Sequence, residues 1–142
     1  MITDWLTSLR PLRKKCLVEN NTSILPAVQS LLPQLGREDT AAIVTHLPRL
    51  KARLAHLSAA MPGMQHSIAI KTNPHAQLLR TLVEFGYGLE AASIEEVRRG
   101  KAAGCPVNQI VFDSPVKTRH EIAEVAYEKG MLVNVNTLAE LK

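Results

Sequence analysis

The hydrophobic positions of this chain change period partway along. Ile24, Val28, Leu31 and Leu35 recur at helical spacing and mark one helix face. Ser23 suits the cap of that helix, Pro26 its first turn, and Gly36 its end. Trp5, Leu6 and Leu9 point to a shorter helix ahead of Pro11. From residue 40 two kinds of segment alternate. Residues 40–44 read as an extended lead-in. A helix follows Pro48, with Leu50, Leu54, Leu57 and Met61 in register, and stops near Gly63. Four short apolar strands come next, at residues 67–71, 87–92, 109–113 and 132–136. Helical patterns separate them, which is the rhythm of parallel βα units.

Turn chemistry punctuates the same units. Asn73 before Pro74 puts a cap ahead of a first-turn proline. Ser93 and Glu96 are spaced as a capping box, in which hydroxyl and carboxylate each take a free backbone N–H. Thr118 with Glu121, and Thr137 with Glu140, repeat that spacing. Gly86, Gly104 and Gly130 stand where left-handed helix stops belong. One βα unit after another, without reversal, predicts an α/β fold: a partial (β/α)8 TIM-type barrel of about four units behind a helical segment. Residues 1–39 form the helical N-terminal extension, and residues 40–142 the first half of the barrel, stopping in its fourth helix. A half barrel exposes unpaired strand edges, so the chain reads as part of a longer protein. A complete small α/β domain with a frayed last turn is the competing reading.

Composition narrows the partners. The 142 residues suffice for a core, and 46% hydrophobic content is ordinary for a globular chain. Aromatics, at 4%, are too few for stacking single-stranded nucleic acid. The net charge of +4 gathers mildly at residues 10–15 and at Arg98-Arg99-Gly100-Lys101. Such runs read as solvated helix faces before phosphate grips, and no nucleic-acid partner is expected. Cys16 and Cys105 make neither a disulfide framework nor a metal site and read as reduced thiols. His46, His56, His66 and His120 have no ligand spacing, so no metal is expected. No apolar run has membrane-spanning length and the N-terminus has no signal-peptide core; no membrane partner and a cytoplasmic location are expected.

The candidate chemistry centres on Lys71, at the end of Ser67-Ile68-Ala69-Ile70-Lys71-Thr72-Asn73-Pro74. Strand alternation puts Lys71 on a face with Ala69 and Ser67, while Ile68 and Ile70 face the other way. Small neighbours leave room beside the amine. A buried lysine titrates lower, and its neutral amine forms Schiff bases. A solvated lysine at a strand end is the plainer alternative. In a (β/α)8 barrel chemistry sits at the C-terminal ends of strands, and Lys71, Glu90 and Asp113 all lie near such ends.

Ala69-Ile70-Lys71-Thr72-Asn73-Pro74 resembles the lysine motif of the ornithine/diaminopimelate/arginine decarboxylases, pyridoxal-phosphate enzymes with an alanine-racemase-like barrel. Gly86-Tyr87-Gly88-Leu89-Glu90-Ala91-Ala92-Ser93 is similar to that family's second-strand segment. Ile110-Val111-Phe112-Asp113-Ser114-Pro115-Val116-Lys117 resembles its third strand and proline-lysine turn, and Asn134-Val135-Asn136-Thr137 its fourth unit. The likeness covers about residues 40–142.

The resemblance implies that Lys71 holds pyridoxal 5'-phosphate as a Schiff base and that Ala69 lines the cofactor floor, where a larger side chain collides with the ring. Glu90 stands where the family usually has aspartate beside cofactor and lysine; a plain strand-end ion pair is its competing reading. Asp113 and Lys117 are expected to shape a turn. Ser93, Thr118 and Thr137 are helix caps, and His75 an exposed first-turn histidine. The implied activity is decarboxylation of a basic or diamino acid of the ornithine, diaminopimelate, lysine or arginine type, by a homodimer. The family's ring-stacking histidine, glycine-rich phosphate cradle, pyridine-nitrogen carboxylate and C-terminal β-domain all lie beyond the fourth strand. The 142 residues alone are therefore expected to be inactive. A non-catalytic pyridoxal-phosphate-binding or regulatory protein, and a degenerate remnant, stay open beside the enzyme.

Overall fold

A computed structural model describes residues 24–37, 39 and 43–141. The short helix around Trp5, the Ser23 cap, the basic run at 10–15, Cys16 and residues 40–42 lie outside the described residues. The chain divides into two compact units, one ending at Leu50 and the other beginning at Lys51.

In the first unit, α1 (Ile24–Leu31) is followed by a 3-10 turn, Leu32–Gln34. Pro33 explains the change, because it has no N–H to continue the α-helical ladder. The Gly36 N–H then donates to Asp39 Oδ2 at 2.6 Å. Residues 43–46 have no regular structure. His46 caps the start of α2 (Leu47–Ala60), its Nδ1 accepting from the Arg49 N–H at 3.1 Å.

The second unit carries a four-stranded parallel sheet in the order β1-β2-β3-β4. The strands are β1 (Ser67–Ala69), β2 (Gly88–Ala91), β3 (Ile110–Phe112) and β4 (Leu132–Val133). Between them run α3 (Ala76–Glu84), α4 (Ile94–Ala102) and α5 (Arg119–Val125). All four predicted strands exist and are parallel, but each is shorter than its apolar run. At β1 the cause is visible. The Thr72 hydroxyl donates to the Ala69 carbonyl at 2.8 Å and the Asn73 N–H to that of Ile70 at 3.1 Å, so Ile70–Thr72 winds into a 3-10 turn.

Register sorts the side chains into rows. Ile68, Leu89 and Ile110 pair across the sheet and share one face, while Ala69, Glu90, Val111 and Leu132 share the other. The first face packs under α4. A Cβ added at Gly100 would stand 3.5 Å from Ile70, Leu89 and Ile110, all three fully buried. Burial of each such side chain contributes about 1.5–3 kcal/mol. Tyr87 pins α2 to the sheet: its hydroxyl donates to the Leu54 carbonyl at 2.7 Å and stands 3.0 Å from Ser58 Oγ. Cys105 is also core, and burial pushes its thiol above its ordinary value.

Caps follow the sequence with corrections. Thr118 and Glu121 close the full box, with Glu121 N–H on Thr118 Oγ1 at 3.2 Å and Thr118 N–H on Glu121 Oε2 at 2.7 Å. Ser93 accepts from Glu96 N–H, yet the Glu96 carboxylate takes the Ala92 N–H one residue further out. The helix after Asn73 begins at Ala76, not Pro74, because Asn73 Oδ1 accepts from His75 N–H and Pro74 keeps Asn73 extended. Thr137 forms no box: Leu138–Leu141 is a 3-10 turn, and Glu140 is drawn to the Asn136 N–H and to Lys117. The run Arg98-Arg99-Gly100-Lys101 is a paired helix face. Arg98 meets Glu124 at 2.7 Å and Arg99 meets Glu95 at 3.4 Å, while Lys101 is bonded to Glu128.

Two glycines are expected to behave oppositely. A Cβ at Gly88 would sit 2.4 Å from the Gln109 carbonyl oxygen, backbone that cannot yield, so Gly88→Ala costs about 2–3 kcal/mol. Gly100→Ala meets only ordinary contacts and gains up to about 1 kcal/mol from helix propensity. Urea unfolding midpoints of the two variants check both signs.

Acid should weaken the start of α5 and its tie to α4. The Thr118 backbone bond holds Glu121 below its ordinary 4.5, and the Arg98 hydrogen bond does the same for Glu124. Depressed folded values mean stability that is present above pH 4.5 and lost as pH falls through the folded values. The double variant Glu121→Gln, Glu124→Gln should show a shallower acid loss in a pH series of thermal unfolding.

Candidate functional site

The C-terminal ends of β1 and β2 bring together the three residues singled out from the sequence. Ala69 and Glu90 are register partners on the face away from α4. Lys71, in the turn directly after β1, places Nζ 3.8 Å from Glu90 Oε1. The Lys71 side chain is 62% exposed and that of Glu90 23%. One expectation is corrected here. Lys71 is not a strand residue, because the 3-10 turn ends β1 at Ala69, yet the turn still delivers it to the face of Glu90. Its amine is exposed, in keeping with the plainer reading of a solvated lysine. Ile70 takes the buried position instead and packs toward α4, as alternation required.

This geometry offers an accessible primary amine beside a carboxylate, on a floor kept low by Ala69. An aldehyde can reach such an amine from solvent. A carboxylate at this distance steers the ammonium without enclosing it. Lys71 and Ala69 thus fit a group bound covalently through an aldehyde and lying over a small residue.

The other candidates separate. Asp113 is exposed, and its N–H extends the ladder by donating to the Ala91 carbonyl at 2.9 Å. Lys117 is buried away from Lys71, with partners of its own. His75 is exposed as the cap residue of α3. His66 stacks on Tyr87 with ring centroids 5.5 Å apart, and its buried Nε2 has no hydrogen-bond partner among the described residues. Sequence reasoning missed Asn134, Asn136 and Glu140 as the companions of Lys117. Their clustering after β4 was the available signal. Among the described residues no group of three His, Cys, Asp or Glu is placed to hold a metal, and no helix is long and apolar enough to cross a membrane.

The family described as pyridoxal-dependent decarboxylase, pyridoxal binding domain, matches residues 47–142. The chain belongs to that family, and pyridoxal 5'-phosphate is the cofactor its domain serves. It is 29% identical over 118 residues to 2-[(L-alanin-3-ylcarbamoyl)methyl]-2-hydroxybutanedioate decarboxylase of Staphylococcus aureus, covering 81% of this chain and 29% of that one. It is 28% identical over 111 residues to diaminopimelate decarboxylase of Campylobacter jejuni, covering 76% and 28%. The fold is shared with lysine/ornithine decarboxylase of Vibrio vulnificus in its complex with putrescine, at a TM-score of 0.71 and 21% identity over 84% of this chain and 32% of that one. The chain spans less than a third of the length of these proteins. The (β/α)8-type half sheet inferred from the strand rhythm is therefore the fold, open rather than closed among the described residues.

The Lys71–Glu90 pair is too exposed to matter for folding, since such pairs contribute about 0–1 kcal/mol. Glu90→Gln should leave the urea midpoint almost unmoved. A large loss would mean that Glu90 holds the sheet together.

Proposed function

We propose that Lys71 is the Schiff-base lysine of a pyridoxal-phosphate-dependent carboxy-lyase. We further propose that residues 40–142 are the N-terminal half of its barrel within a longer, homodimeric protein. The observation that carries this reading is the open Lys71 amine 3.8 Å from Glu90 at adjoining strand ends, in a domain of the pyridoxal-binding family. Lys71 holds the cofactor aldehyde. Ala69, small and in register with Glu90, leaves the floor free for the ring. Glu90 keeps a negative charge beside the amine and orients it. When bound, pyridoxal phosphate supplies an electron sink for the pair left by a departing carboxylate. The substrate is a basic or diamino acid of the ornithine, diaminopimelate, lysine or arginine type. The names of the Campylobacter and Vibrio proteins support that class.

The test is covalent trapping. The chain is incubated with pyridoxal phosphate, reduced with borohydride and mapped by peptide mass. The label is expected on Lys71 and is expected to vanish in Lys71→Ala; a label spread over other lysines overturns the assignment. Carbon dioxide release from ornithine, lysine, arginine and diaminopimelate is expected from the longer protein. From the 142-residue chain it should not exceed the free-cofactor background.

A further inference from the structure

Lys117 is a charged side chain only 1% exposed, and its surroundings are built for it. Its ammonium donates to the Ser114 carbonyl at 2.8 Å and to Asn134 Oδ1 at 3.0 Å, and it pairs with Glu140 Oε2 at 3.2 Å. An ammonium has three protons, and here there are three acceptors. The acceptors are themselves tied. Asn134 Oδ1 also accepts from the Ser114 N–H at 3.2 Å, and Asn136 Nδ2 donates to the Ser114 carbonyl at 2.8 Å. Glu140 Oε2 accepts from the Asn136 N–H at 3.0 Å, a bond that helps hold this carboxyl below its ordinary range.

The place of this cluster is informative. The ladder between β3 and β4 has only two register pairs, Val111 with Leu132 and Phe112 with Val133. One further main-chain bond follows, from Asn134 N–H to the Phe112 carbonyl at 3.1 Å. Beyond it the side-chain network takes over from the ladder. Asp113, the residue before Ser114, donates its N–H to the carbonyl of Ala91, the neighbour of Glu90. A continuous set of bonds therefore runs from Lys117 through Ser114 and Asp113 to the end of β2.

We propose that Lys117 is a positioning residue: its ammonium locks the ends of β3 and β4 together and, through Asp113 and Ala91, sets where Glu90 stands beside Lys71. Only the consequence for cofactor capture rests on the reading of Lys71 as the Schiff-base lysine. The network itself does not.

The experiment compares the 142-residue chain with Lys117→Met, which keeps the length and removes the charge. Three readouts are taken: amide exchange at Ser114 and Asn136, the NMR signal of the Glu90 carboxyl, and the rate of borohydride-trapped pyridoxal phosphate on Lys71. Both amides should exchange about tenfold faster or more, as loss of a charge-assisted bond implies. The Glu90 signal should move, and trapping should slow. In Lys117→Ala, added ethylammonium should refill the gap and restore all three. Glu140→Gln keeps an acceptor for Asn136 but removes the charge, and should show the same changes more weakly. It decides the matter if Lys117→Met fails to fold. Unchanged exchange at Ser114 and Asn136, or faster exchange with an unmoved Glu90 signal, overturns the proposal. If the unaltered chain is not trapped at Lys71, the cofactor reading falls, while exchange and the Glu90 signal still decide the role of Lys117.

Discussion

Because β1 to β4 all run in one direction, each connection must travel back along the sheet before the next strand can start. That requirement puts α3, α4 and α5 between the strands and gathers every strand's carboxyl end on one side. It also demands close approach. α4 comes down on the sheet where Gly100 meets Ile70, Leu89 and Ile110, and Gly88 lets β2 lie against the Gln109 carbonyl. A side chain at Gly88 would push β2 away from the Gln109 carbonyl, whereas Gly100 has room for a methyl in ordinary contact with the layer beneath it. Lys71 and Glu90 are neighbours because the strands that end beside them are parallel and in register.

Two lysines show how solvent decides what a charge does. Lys71 is mostly in water beside one carboxylate, so its ion pair adds little to stability. Lys117 is out of water, and a buried charge is tolerated only with full partnership. It has three oxygen acceptors and the Phe112 ring 6.0 Å away. The same residue type stands open to solvent in one place and is enclosed in the other. The difference lies in how many acceptors the local turn brings within reach.

The helix-face residues divide similarly. Arg98, Arg99 and Lys101 look like a basic run in the chain, yet each is matched to a glutamate on its own helix or on or just beyond α5. Each of these charges is paired at the protein surface.

Much of this molecule was legible in the amino-acid order. Short apolar runs, glycine stops and the Thr118 box depend on neighbours a few residues apart, and those interactions exist in any context. They determined the order of the four strands and of the helices between them, and the Lys71 motif pointed to the family that residues 47–142 match. Strand ends were not legible, because a strand stops where its carbonyls find other donors: Thr72 takes that of Ala69 and ends β1 two residues early. The fourth box failed for a related reason: the Glu140 carboxylate takes the Asn136 N–H and pairs with Lys117, a residue far away in the chain. Ile70 buried, Lys71 exposed, Glu90 within reach and Lys117 enclosed are outcomes of packing between distant segments. The sequence by itself determined which residues were available for the site, through local spacing. Only the tertiary structure decided which of them meet water and which meet each other, because desolvation and contact depend on what the rest of the chain places alongside.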